Sequence, residues 1–155
     1  MKMIKRGWIG VFSLLILTGV SLAAQPSPAS LVATEGEVKQ FFARYVERYN
    51  QRDLTGFLSL FSSKAVQNRE DGSEKIRKTY SDFFNQSKDL RYQMQDMKIE
   101  IYQNAVEAGA RYQLDQVLKE NGKERVFKGR VLWSLVREGG GLKIHSLDYT
   151  QEESR

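Results

Sequence analysis

The chain has 155 residues, 24 of them Lys or Arg and 19 Asp or Glu, for a net charge of +5, and it contains no cysteine. Thiol nucleophiles, disulfide exchange and cysteine-ligated metal sites are therefore excluded, and a domain of this size must be held by its apolar core. Lys2, Lys5 and Arg6 lie within the first 24 residues, which hold no acid; without them 21 basic residues face 19 acidic ones, a near-neutral balance that offers no footprint for nucleic acid.

Residues 1–24 read as a secretory signal peptide. A basic start is followed by the uncharged run WIGVFSLLILTGV and then by small residues around Ser21 and Ala23. Cleavage near Ala23 or Ala24 predicts a periplasmic or secreted product with no stable membrane insertion. The alternative is an inner-membrane anchor formed by the uncleaved segment, since Trp8 to Ala24 is 17 residues, at the lower edge of what spans a bilayer. Residues 25–35, rich in Pro, Ser and Ala, predict a flexible leader, 36–151 a single domain, and 152–155 a C-terminal tail.

Val38, Phe41, Phe42, Tyr45, Val46 and Tyr49 fall at helical spacing and form one apolar stripe. Asn50 is the expected stop, and Asp53 the expected N-cap of a short second helix carrying Leu54, Phe57, Leu58 and Phe61 on one face. Gly56 within it predicts a close helix–helix approach. SSKAVQN then reads as a brief extended piece. Asp71 and Glu74, at capping-box spacing, open a third helix striped by Ile76, Tyr80, Phe83, Phe84 and Ser87.

From Leu90 the period changes from helical to alternating. Leu90, Tyr92 and Met94 alternate with polar residues, and a slip at Asp96–Met97 before Ile99 and Ile101 predicts a bulge. Three further strands follow, separated by an Asn121–Gly122 hairpin turn and the glycines 139–141. Helices first and strands after predict an α+β fold, with three N-terminal helices packed in a curved four-stranded antiparallel sheet plus one short strand.

His145 is the chain's one histidine, and no metal-ligand spacing, nucleophile elbow, phosphate-cradling loop or dinucleotide fingerprint accompanies it. No metal and no cofactor is expected. Strict alternation places His145, Leu147 and Tyr149 on one strand face and Ile144, Ser146 and Asp148 on the other, so His145 and Asp148 do not form a side-by-side pair. Tyr45, Tyr49, Phe57, Phe61, Tyr80, Phe83, Phe84 and Trp133 read as core positions by default. Among them the Tyr45 phenol is expected to reach a ligand. Arg111 and Arg130 read either as counter-charges for an acidic ligand or partner, or as solvent-facing sheet residues.

YNQRDLTGFLSLFSSKAV, a helix opening GSEKI, and a final GGGLKIHSLD together resemble the nuclear transport factor 2-like superfamily, and within it the SnoaL-like and ketosteroid-isomerase branch, over roughly residues 36–150. The resemblance implies a cystatin-like cone: a bent sheet wrapping the helices around a pocket, in an exported bacterial member forming a homodimer through the sheet. Ketosteroid isomerases keep a tyrosine on the first helix, a general-base aspartate after the first strand and a protonated aspartic acid on the penultimate strand. Ungapped matching from Arg44 puts Tyr45 at the first position, Arg69 at the second and Leu132 near the third. Arg69 cannot accept a proton, and Leu132 carries no acid.

The candidate ligand-binding set is Tyr45, Tyr49, Arg69, Arg111, Arg130, Trp133, His145 and Tyr149, with no residue assigned to catalysis. The expected role is a non-catalytic cell-envelope module binding a small apolar or acidic ligand or an envelope protein, and not nucleic acid. The alternative is a small SnoaL-like isomerase, dehydratase or cyclase working near Tyr45 and His145, with Glu70 or Asp148. That alternative predicts a deep pocket with a perturbed carboxylate or His145 pointing inward.

Overall fold

A computed structural model describes residues 30–152. The signal-peptide assignment lies outside them, and among the described residues no helix is long and apolar enough to cross a membrane. The chain runs α1 (Glu35–Gln51), α2 (Leu54–Leu58), β1 (Phe61–Gln67), α3 (Ser73–Gln86), β2 (Ser87–Ile101), β3 (Val106–Leu118), β4 (Glu124–Glu138) and β5 (Gly141–Gln151). β2 to β5 form an antiparallel meander. β1 joins its far edge beside β5, giving the order β1-β5-β4-β3-β2, and runs parallel to β5. The sheet is therefore mixed, not wholly antiparallel.

The three helices pack on one face of this sheet. Of the α1 stripe, Val38, Phe41, Phe42, Tyr45 and Tyr49 are all buried, and they meet Trp133, Leu135, Ile144 and Leu147 from the strands in one continuous core. Thr34 caps α1 in a reciprocal pair with Glu37, and Arg52 ends it in the left-handed region at φ 54°. Asp53 caps α2 as expected, accepting from the Gly56 N–H at 2.9 Å. Phe61 belongs to β1 rather than to the helix. Gly56 does not serve bare helix–helix contact. A Cβ there would overlap the Asp53 carboxylate and come within 2.9 Å of Arg48 Cδ, so the glycine makes room for the Arg48–Asp53 ion pair at 2.6 Å that straps α1 to α2.

The cap of α3 also differs from expectation. Its N-cap is Gly72, and Asp71 instead pairs with Lys75 at 2.5 Å. The backbone explains this: the Gln67 N–H donates to Asp71 O and the Asp71 N–H donates to Gln67 O, closing a turn that holds Asp71 one residue upstream of the cap. The bulge foreseen in β2 is present. Register shifts between Gln95 and Lys98, with Asp96 at φ 53°.

A second bulge lies in β5, where Ser146 pairs with Ser134 but Ile144 pairs with Leu135, leaving His145 as the extra residue. Strict alternation therefore fails at His145. Leu142 and Ile144 face the core before it and Leu147 after it, while His145 is exposed.

The end of the expected leader is docked. The Val32 N–H donates to Tyr102 O at 2.8 Å, Arg137 donates to Val32 O, and Ala33 is buried. Arg137 also holds Glu37 at 2.8 Å. The Thr34 backbone N–H and then the Arg137 guanidinium bring the Glu37 carboxyl down to about 2, from an ordinary value of 4.5. A depressed carboxyl stabilises the fold above its unfolded value and loses that contribution as pH falls through its folded value. Urea midpoints of the native chain and of Glu37→Gln are therefore expected to differ at pH 6 and to converge between pH 4.5 and about 2. Two parallel pH profiles would contradict this.

Candidate functional site

Between α1, α3 and the inner face of the sheet lies a pocket of about 450 Å³. Its lining includes Tyr45, Tyr49, Tyr80, Tyr92, Tyr112 and Tyr149, six of the seven tyrosines in the chain. Each arrives by simple geometry. Tyr45 and Tyr49 are one turn apart on α1, Tyr80 lies on the inward stripe of α3, and Tyr92, Tyr112 and Tyr149 sit at inward positions of β2, β3 and β5.

Their rings pack edge-on and tilted. Tyr49 lies 4.9 Å from Tyr92 and 6.1 Å from Tyr80, and Tyr45 lies 5.7 Å from Tyr92. Tyr92 and Tyr112 are stacked at 5.9 Å with planes 8° apart, forming a flat wall. That wall depends on Gly129 in β4, where a Cβ would run into the carbonyl of Thr150 and approach the Tyr112 ring to 3.0 Å. Tyr45, Tyr49 and Tyr80 form the deep end, each under one-tenth exposed, whereas Tyr149 is 40% exposed. Tyr149, not Tyr45, thus stands at the mouth.

The chemistry of this pocket is uncharged. Burial raises the phenols of Tyr45, Tyr49, Tyr80, Tyr92 and Tyr112 above their ordinary value, so they remain protonated donors at neutral pH. The only charged lining residue is Asp82, exposed on α3 and paired with Lys78 at 2.6 Å. Among the remaining uncharged polar lining residues Gln67, at the end of β1, is the buried one, 1% exposed, with an Oε1 that accepts no hydrogen bond from any described residue. Sequence reasoning missed Gln67. The signal available was its two-residue spacing from Ala65, which shares its inward face on the strand.

Of the eight candidates, the pocket brings together Tyr45, Tyr49 and Tyr149. Trp133 is a core residue, 1% exposed, packed on Phe42 at 5.0 Å and Tyr45 at 5.6 Å. Arg69 is exposed in the left-handed turn after β1, at φ 66°. His145 is exposed at its bulge. Asp148 faces outward opposite Leu132, so the pair of residues invoked for catalysis is absent from the pocket. Among the described residues no three His, Asp or Glu side chains cluster as a metal site.

Arg111 and Arg130 lie on the outer face, directly opposite each other across β3 and β4. Of the two, Arg111 has a carboxylate nearby, Asp96 at 3.7 Å. The next outward row holds Lys98, Gly109, Leu132 and Asp148, with Leu132 61% exposed. The row beyond brings Glu100 against Glu107.

Known proteins place this arrangement in context. No curated protein matches the sequence. Among solved structures, a nuclear transport factor 2-like superfamily protein from Salmonella enterica serovar Typhimurium superposes with a TM-score of 0.67 at 19% identity, covering 77% of this chain and 91% of that one. Aln2 from a Streptomyces species gives 0.63 at 22%, over 77% and 93%. The hexachlorocyclohexane dehydrochlorinase LinA-type3 from Novosphingobium barchaimii gives 0.62 at 11%, over 76% and 86%. At these identities the likeness is one of fold. The family model of the SnoaL-like domain matches residues 31–148, and the chain belongs to that family, with the fold seen in the nuclear transport factor 2-like protein above.

Proposed function

We propose that this domain is a binding module for a small, uncharged, largely apolar ligand held among the six tyrosines, without acid–base catalysis of its own. The observation that carries this reading is the absence of any ionised or readily ionised group among the buried lining residues. General acid–base catalysis needs a group that titrates near the working pH. Phenols pushed upward can donate hydrogen bonds but cannot serve as bases at neutral pH. An acidic ligand is disfavoured on the same ground, because Arg69, Arg111 and Arg130 lie elsewhere and an unpaired buried anion is costly.

Saturable binding of 2-naphthol, followed by titration calorimetry, tests the reading. Thr79→Trp, which narrows the pocket from α3, is expected to weaken binding about tenfold, and the compound is expected to be recovered unchanged. Absence of binding sinks the pocket assignment, and conversion of the compound sinks the non-catalytic part.

The named dehydrochlorinase among the structural neighbours keeps an enzymatic reading in view. Here it would have to rest on the phenol donors and on the exposed, Lys78-paired Asp82, since His145 and Asp148 lie outside the pocket lining. Export to the cell envelope is likewise proposed from residues 1–24, and the N-terminal sequence of the mature chain tests it.

We propose further that the outer sheet face takes a second copy of this chain. Like charges directly opposite each other on a sheet repel, as Arg111 with Arg130 and Glu100 with Glu107 do here. A twofold axis along the Gly109–Leu132 row brings Arg111 of one copy over Glu107 of the other, relieving both repulsions around an apolar centre.

A further inference from the structure

Phe83 and Phe127 face each other across the mouth of the pocket. One rim is α3, which lines it with Asp82, Phe83 and Gln86; the other is the sheet, with Phe127 of β4 and Tyr149 and Gln151 of β5. Asp82, Gln86, Tyr149 and Gln151 are exposed, whereas both phenylalanines are half-buried, their ring centroids 6.2 Å apart and their planes at 64°. An edge-to-face pair at this distance is attractive, and here it spans the opening from helix to sheet.

The two rings are not held alike. Phe83 also packs on Tyr49, 6.4 Å away at the deep end of the pocket. Phe127 stands opposite Leu114 of β3, but on its other side the ladder between β4 and β5 ends at Gly129 opposite Gln151, short of Phe127. Its neighbour Val126 is 51% exposed. Phe127 can therefore turn outward by giving up its contact with Phe83, while displacing Phe83 would disturb the tyrosine packing.

We propose that Phe83 and Phe127 are the access pair of the pocket: parted, they admit a ligand, and their separation selects flat molecules over globular ones. The inference rests on the reading of the pocket as a ligand site, and deepens it by naming how ligand shape is selected. An aryl ring passes edge-on between partly parted rings, whereas a globular molecule of equal atom count needs them fully apart. One aromatic pair favours the closed arrangement about three- to tenfold, and association slows by the same factor.

Stopped-flow mixing of the full chain with 2-naphthol, followed by the probe's own emission, reads association and dissociation separately. 1-Adamantanol, timed by competition against 2-naphthol, supplies the globular case. The native chain is expected to take up 2-naphthol about tenfold faster than 1-adamantanol. Phe127→Ala is expected to raise both rates for 2-naphthol about three- to tenfold, and to bring the two association rates within about threefold of each other. Phe83→Leu and Phe127→Leu keep an apolar branch and are expected to speed association less. Their double variant is expected to be no faster than either alone, because both remove one and the same contact. Dissociation alone made faster by Phe127→Ala, with association unchanged, makes Phe127 an ordinary wall contact and overturns the access role while leaving the pocket reading intact. Equal uptake of both shapes by the native chain, or a gap that persists in Phe127→Ala, overturns the shape selection. Failure of 2-naphthol to bind the native chain overturns the pocket reading and this inference together. Should Phe127→Ala not fold, the leucine variants and the two-ligand comparison in the native chain carry the test.

Discussion

Trp133→Ala is expected to lower the free energy of unfolding by about 3–5 kcal/mol, the loss typical of a large buried ring replaced by a methyl group. Trp133 is 1% exposed at the centre of β4 and joins the sheet to α1 through Phe42 and Tyr45. Its Nε1 makes no well-formed hydrogen bond to a described residue, though it stands near enough to the Tyr45 phenol to favour that group's ionised form slightly, so packing does most of the holding. Trp133→Phe keeps most of that packing and removes the unpaired N–H, and is expected to lose less than half as much. Since small domains are stable by only about 5–15 kcal/mol, the alanine variant will populate the unfolded state visibly in mild denaturant. Urea unfolding followed by circular dichroism reads both values. A loss under about 1 kcal/mol for Trp133→Ala would remove Trp133 from the core and return it to the candidate ligand contacts.

Leu132→Asp, one residue away, is expected to do the reverse: little to the fold and much to assembly. Leu132 points out of the sheet and is 61% exposed, so its replacement leaves no cavity. In the proposed dimer it sits at the centre of the interface, where a carboxylate against its own symmetry mate is both repelled and desolvated. Dimer dissociation is expected to rise about a hundredfold, with the thermal midpoint of the separated chain nearly unchanged. Sedimentation equilibrium reads the effect. Arg111→Glu is expected to weaken the dimer as well, and Arg111→Glu combined with Glu107→Arg to restore it, because the twofold axis exchanges these positions. A native chain that remains monomeric at the highest concentration attainable ends the proposal.

These two neighbours show how far periodicity carries and where it stops. The inward stripe of α1 was legible because helical spacing alone aligns Val38, Phe41, Phe42, Tyr45 and Tyr49, and all five are buried. The β2 bulge was legible as a one-residue slip in alternation, because a period of two leaves no other way to return Ile99 inward. At His145 the same rule misled. The bulge there inserts a residue without disturbing the apolar pattern Leu142, Ile144, Leu147, and only pairing with β4 reveals which residue is extra. Asp71 misled for a similar reason. Its capping-box spacing was real, but a turn tied back to Gln67 moved the helix start to Gly72.

The site divides along the same line. Local spacing established that the chain has three helices and a long antiparallel meander, that Tyr45 and Tyr49 lie on one helical face, and that neither a cysteine nor a metal-binding motif is available. Helical and strand periods are properties of neighbours in the chain, so they can be read from it directly. What remained for the folded chain to settle was contact between distant segments: the parallel seat of β1 beside β5, the convergence of six tyrosines from five elements, the outward exile of Arg111 and Arg130, and the unmet acceptor of Gln67. Each depends on which strand lies next to which, a matter of long-range packing that no local period encodes.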